Sequence, residues 1–236
     1  MKILGLDIST KTGCAVFNDG QLVSYCVIEK TFPSIANDYG DYPWSFLHVA
    51  NDIVHQIVDK INLEKPDIVV IEEINKPGRF GSRHSQRLLD SLHFLLIQKI
   101  EPHHEAGKLK VCYINTSDWR KKLNLSVAET KKMARPYIKE LDRLKKEFAK
   151  ADKTNKKSLK IQLDTLKKDL KSKCIHGKVD KKSISVAHVN LKYGLNLNKG
   201  QNDISDAVCQ VEAYIKGVKV ITNKDIFDNK KKRGTE

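Results

Sequence analysis

Acidic residues set inside apolar runs are the first chemistry visible in this 236-residue sequence. Asp7 closes Ile3-Leu4-Gly5-Leu6, and Glu72 and Glu73 close Ile68-Val69-Val70-Ile71. Asp203 and Asp206 stand three apart, a spacing that puts both on one face of a helix. A carboxylate in an apolar strand is costly unless something compensates it. A divalent cation is such a compensator, and Mg²⁺ takes a few carboxylates together with waters and phosphate oxygens. Four carboxylates meeting around two such ions are the equipment for phosphodiester hydrolysis. One ion makes the attacking hydroxide and the other steadies the leaving oxygen. Singly, each residue has an ordinary reading: Asp7 as a turn residue, Asp203 and Asp206 as partners of a helix dipole. Their order and spacing together carry the chemistry.

The elements that must position them follow from periodicity. Lys2–Ile8 reads as a buried strand, and Cys14–Phe17 and Leu22–Glu29 as two more, joined by an Asn18-Asp19-Gly20 hairpin turn. Pro43 opens a helix whose apolar residues recur from Phe46 to Ile61. Ile68–Ile74 is an almost unbroken β-branched run, the pattern of a central strand covered on both faces. A polar loop, Asn75–Gly81, leads to a helix over Ser85–Glu105, and Lys110–Ile114 is another strand. From Ser117 the chain turns basic and helical. Leu141, Leu144 and Phe148 form one stripe, and Leu159, Leu163, Leu166 and Leu170 another. This predicts a helical hairpin or one long kinked helix. Short and longer helices follow at Ser183–Tyr193 and Asp203–Lys216, then a polar tail.

The order β-β-β-α-β-α-β-α predicts an α/β domain: a ribonuclease H-like mixed five-stranded sheet with helices on both faces, plus a basic helical-hairpin insertion. The expected organisation is a nuclease core of residues 1–120 and 183–222, an insertion of 121–182 and a tail of 223–236. In such a sheet the first and fourth strands lie side by side. Adjacent strand residues face opposite sides, so only one of Glu72 and Glu73 can join Asp7.

Charge is concentrated. The formal net charge is +14, and the segment Arg120–Lys182 alone holds 22 Lys+Arg against 8 Asp+Glu, leaving 21 of each sign elsewhere. A single-sign block on a neutral body points to a polyanion partner, nucleic acid before membrane. Most of its lysines are expected to contact phosphates without reading sequence. Cys14, Cys26, Cys112, Cys174 and Cys209 are odd in number and lack any Cys-x-x-Cys, which predicts reduced thiols in a cytosolic protein. No apolar run is long enough to cross a membrane, and the early Asp7 argues against a signal peptide.

Three pieces of the sequence resemble the RuvC family of Holliday junction resolvases, in the form found in some bacteriophages. They are Gly5-Leu6-Asp7-Ile8-Ser9-Thr10-Lys11-Thr12-Gly13, Ile71-Glu72-Glu73-Ile74 and Asp203-Ile204-Ser205-Asp206-Ala207. The resemblance spans roughly residues 1–120 and 183–217. The basic segment between them is longer than in the bacterial resolvases. It implies that Asp7, Glu72, Asp203 and Asp206 bind two Mg²⁺ or Mn²⁺ ions, with Glu73 at a position the family fills with Gln. It implies a homodimer that nicks a four-way junction symmetrically, with helix Ser85–Glu105 in the dimer contact. The loop before that helix would reach the junction centre, Arg79 for phosphate and Phe80 for stacking. Lys76, Arg83 and Arg87 extend that basic edge, and Lys121, Lys122, Lys131 and Lys132 open the basic segment. His188 reads as structural. The implied setting is the cytoplasm of a bacterial or phage-infected cell. Two rivals remain. One is a junction-binding architectural protein without catalysis. The other is an actin-like phosphotransferase, since Gly5–Thr10 also looks like a phosphate-binding opening; that fold needs a second domain and a second glycine-rich loop.

Overall fold

The computed structural model describes residues 1–29, 43–74, 83–172 and 181–222. Three strands open it: β1 (Lys2–Asp7), β2 (Lys11–Asn18) and β3 (Gln21–Glu29). Asp19 and Gly20 link β2 to β3 with φ of 48° and 83°, the backbone that a two-residue hairpin turn needs. Next come α1 (Trp44–Glu64), β4 (Ile68–Glu72), α2 (Arg83–Glu105), β5 (Lys110–Ile114) and α3 (Thr116–Lys122). The chain continues through α4 (Val127–Lys150), α5 (Lys153–Ser172), α6 (Lys181–Tyr193), α7 (Asn202–Ile215) and β6 (Val220–Ile221). It divides into two compact units: Met1–Lys122 with the chain from Asp203 onward, and Leu123–Asn202.

In the first unit the sheet order is β3-β2-β1-β4-β5-β6. The β1–β2 and β2–β3 pairs are antiparallel, β1–β4 and β4–β5 parallel, and β5–β6 antiparallel. This is the ribonuclease H-like arrangement, with β1 beside β4 as the element order required. The sheet has six strands, not the expected five. The extra strand is two residues long, Ile221 pairing with Tyr113 and Val220 with Ile114, too short to leave a period-two pattern. Strand β4 ends at Glu72 and not at Ile74; beyond it, Glu73 N–H still donates to Ile114 O at 2.9 Å. Helix α3, expected as the start of one long basic segment, is a separate element, and Asn124 just after it has φ of 58°.

Side-chain parity sorts the two faces of the sheet. Leu4, Leu6, Val69 and Ile71 enter one core cluster with Ile53 and Ile57 of α1 and Leu92 and Leu96 of α2. Gly5 and, by the same parity, Ile3 and Asp7 face the other way, toward α7. A Cβ on Gly5 would meet Ala207 O and the Val211 side chain, and one on Gly13 would overlap the backbone of Asp203. These two glycines therefore let α7 lie directly on β1 and β2. Gly13→Ala is expected to destabilise the protein by about 3 kcal/mol, since the obstacle is backbone that cannot rotate away. Urea denaturation measures the loss.

In the second unit α4 and α5 form a hairpin, not one kinked helix. Leu170, near the end of α5, packs with Tyr137, Ile138 and Leu141 of α4. Asp152 turns the chain by accepting from Asn155 N–H at 2.9 Å. Leu144 and Leu163 are buried, as their stripes predict. Their outer faces are polar. Arg143 is held by Glu140 and Glu147, both at 2.6 Å.

Candidate active site

The site is built at the carboxyl ends of β1 and β4, where parallel α/β sheets place their ligands. Leu6 of β1 pairs with Ile71 of β4, and Asp7 and Glu72 are the next residue of each strand. Parity puts Glu72 on the face of Asp7. Across the other edge of β1, Asp7 pairs with Gly13, against which the backbone of Asp203 is seated. One turn further along α7, Asp206 is buried at 8% exposure. The four expected residues thus converge. Glu73 is separated from them: its carboxylate accepts from Asn115 Nδ2 at 2.7 Å.

Glu72 is held by three donors. Thr116 Oγ1 donates to Oε1 at 2.5 Å, and Trp119 Nε1 and Gln210 Nε2 donate to Oε2 at 3.0 and 3.2 Å. Asp206 is held by Arg120, whose Nη2 lies 3.1 Å from each carboxylate oxygen. The Arg120 guanidinium stacks over the Trp119 ring at 4.2 Å. Both side chains are buried. Behind Asp7 the chain turns tightly: Thr12 Oγ1 accepts from Ser9 N–H and donates to Ser9 O.

Asp7 reports the electrostatics of the whole group. Burial pushes its carboxyl well above the ordinary carboxylate range, and Glu72, Asp206 and Asp203 add repulsion in that order, with Arg120 opposing. Four carboxylates and one guanidinium leave an excess of negative charge in a desolvated place. Oxygen-only ligands with surplus negative charge suit a hard divalent cation. As arranged, no three His, Cys, Asp or Glu groups among the described residues stand close enough to hold a metal ion. Glu72 is committed to Thr116, Trp119 and Gln210, and Asp206 to Arg120. The residues fit the cation in type and charge, and those commitments are what a bound ion would have to exchange.

Thr116, Trp119, Arg120 and Gln210 were not among the residues singled out from sequence. Gln210 had a signal: Asp203, Asp206 and Gln210 form a polar stripe at helical spacing on a helix whose Ala207, Val208, Cys209 and Val211 are fully buried. Trp119-Arg120 had none, because it sits at the head of a basic run that reads as solvated.

Of the expected DNA contacts, Lys76, Arg79 and Phe80 lie outside the described residues, as do the side chains of Arg83 and Lys131. Arg87 is exposed on α2, Lys121 and Lys122 are exposed at the end of α3, and Lys132 is exposed on α4. His188 is half-buried on α6 in the second unit. Cys14, Cys26, Cys112 and Cys209 form no disulfide. No helix among the described residues is long and apolar enough to cross a membrane.

Neither a family model nor a curated protein matches the chain. Among solved structures it is similar to Thermus thermophilus RuvC in complex with a Holliday junction substrate, at 9% identity and a TM-score of 0.49 over 94% of this chain and 99% of that one. It is similar to a second T. thermophilus RuvC structure at 11% identity and a TM-score of 0.47, over 94% of this chain and 100% of that one. The yeast mitochondrial Holliday junction resolvase Ydc2 matches at 10% identity and a TM-score of 0.41, over 90% of this chain and 76% of that one.

Proposed function

We propose that this chain is a divalent-metal-dependent endonuclease that cuts four-way DNA junctions and other branched DNA. The observation that supports it is the convergence of Glu72, Asp203 and Asp206 on the half-buried Asp7, at the carboxyl ends of β1 and β4. Asp7, Glu72, Asp203 and Asp206 would hold Mg²⁺ or Mn²⁺, which when bound supplies the charge that activates water and steadies a leaving oxygen. The chain's own residues position that set. Thr116, Trp119 and Gln210 fix the orientation of Glu72, and Gly5 and Gly13 let α7 bring Asp203 and Asp206 over β1. Arg87, Lys121 and Lys122 are exposed cations for phosphate, with Lys76, Arg79, Phe80, Arg83, Lys131 and Lys132 as the further contacts.

The enzyme acts as a homodimer, so that two sites nick opposing strands. In α2, Leu88, Leu92, Leu96 and Ile100 are spent on the chain's own core, whereas Phe94 is 75% exposed. Phe94→Glu is expected to shift the protein to a monomer in sedimentation velocity without lowering its melting temperature. An unchanged sedimentation coefficient would remove Phe94 from the contact.

The test of the reading is a cleavage panel of synthetic four-way, three-way and linear duplex DNA, with Mg²⁺ and with chelator. Cutting of the branched substrates in Mg²⁺ alone is expected. Intact junctions, or equal cutting of linear duplex, would overturn it. One observation favours the second reading, a junction-binding protein without catalysis: the carboxylates are engaged by Arg120 and by three neutral donors, not gathered as ligands. That reading expects salt-sensitive junction binding indifferent to Mg²⁺ and to all four carboxylates.

A further inference from the structure

We propose that Arg120 is the built-in counterion of the carboxylate cluster: it occupies Asp206 in the metal-free protein and gives it up when a divalent cation binds. The proposal rests on the metal-dependent reading above and assigns it a mechanism of loading. Three observations carry it. Arg120 Nη2 lies 3.1 Å from both Asp206 oxygens, so a cation that needs either oxygen competes with the guanidinium. The contact is desolvated, Arg120 being 5% and Asp206 8% exposed, where an uncompensated carboxylate is most costly. Arg120 also lies over the Trp119 ring at 4.2 Å while it pairs with Asp206, a contact that keeps a partner for the guanidinium when Asp206 is given up.

Helix α3 ties this exchange to Glu72. Its Thr116 and Trp119 donate to Glu72 while its Arg120 pairs with Asp206. Seven residues therefore reach two of the four carboxylates, one with neutral donors and one with charge. Lys121 and Lys122 cannot stand in for it, because both are exposed.

If Arg120 instead served to hold Asp206 in its binding position, neutralising it would weaken metal binding, which separates the two roles. Mn²⁺ binding to the full chain, without DNA, is measured by calorimetry for wild type, Arg120→Met, Arg120→Lys and Asp7→Asn. Removing a unit charge a few ångströms from the ligands is expected to tighten Mn²⁺ binding in Arg120→Met on the order of tenfold. Arg120→Lys, which keeps the charge, should stay near wild type. Metal-free Arg120→Met should melt below wild type, and Mn²⁺ should raise its melting temperature by more. Where the methionine variant does not fold, Arg120→Gln carries the same expectation. Unchanged or weaker Mn²⁺ binding in the neutral variants, with wild-type binding intact and lost in Asp7→Asn, overturns the counterion role and leaves the metal site standing. Wild type that binds no Mn²⁺, or binds it as Asp7→Asn does, overturns the metal reading and this proposal with it.

Discussion

Asp7→Asn is expected to abolish cutting of a four-way junction while raising the melting temperature of the metal-free protein. The two effects have one cause. Asp7 is half-buried and faces Glu72, Asp206 and Asp203, so its charge is held against both desolvation and repulsion. Asparagine keeps the shape and removes the charge, which relieves the fold. The same change removes a metal ligand at the centre of the cluster. Loss of an outer-shell partner of a metal ligand already costs about 10–100-fold, so loss of the ligand should exceed about 100-fold in cleavage rate. Acid behaviour supplies a further check. A carboxyl whose folded pKa is raised binds its proton more tightly folded than unfolded. Stability then falls as pH rises from the ordinary carboxylate range through the raised folded value. Asp7→Asn should flatten that slope. A variant that cuts at the wild-type rate, or that melts lower without metal, would contradict this account of the site. Junction binding in low salt should survive the substitution, which separates lost chemistry from lost affinity.

Removing the basic segment is expected to have the second largest effect, and on binding instead of chemistry. The charge excess of the whole protein resides in Arg120–Lys182. Helices α4 and α5 bury their leucine stripes against each other, which leaves Lys139, Lys145, Lys146, Lys150, Lys156, Lys157 and Lys160 exposed. The carboxylates of Glu140 and Glu147 are taken by Arg143. If about six cations contact duplex phosphates, log K against log salt has a slope near −5. Deleting Ser126–Lys178 should remove most of that slope and weaken junction binding at moderate salt on the order of a thousandfold. A variant with Lys145, Lys146, Lys156 and Lys157 all changed to Gln keeps the hairpin's buried stripe intact. Its slope should flatten by about 3 to 4, since each lost phosphate contact is worth roughly 0.9. Fluorescence anisotropy across a salt series measures both. An unchanged slope in the quadruple variant would mean that these lysines face solvent and not DNA, and would move the polyanion contact to Arg87, Lys121 and Lys122.

Much of this was legible because local patterns encode it. Apolar runs of period two and stripes of period 3.6 located nearly every strand and helix that builds the site. The acidic residues were conspicuous because they interrupt or end those runs. The boundaries moved where the pattern is weak: β4 stops two residues before its apolar run does, at Glu72. The second unit was equally readable, since leucines in register on two helices leave little choice but a hairpin.

The sequence by itself determined which carboxylates are placed where charge is costly, that Glu72 and Glu73 face opposite ways, and that one segment carries the whole charge excess. These are properties of neighbours along the chain. Only the tertiary structure decided what those carboxylates meet. Asp206 is paired with a residue 86 positions away, and Glu72 is bound by residues 44, 47 and 138 positions away. No periodicity records such separations, because they arise from strand pairing and from two glycines that admit α7 to the sheet. The same holds for β6, whose two residues become a strand solely because β5 offers an edge. Burial made Arg120 and Trp119 part of the site, and burial belongs to the fold and not to the run of residues.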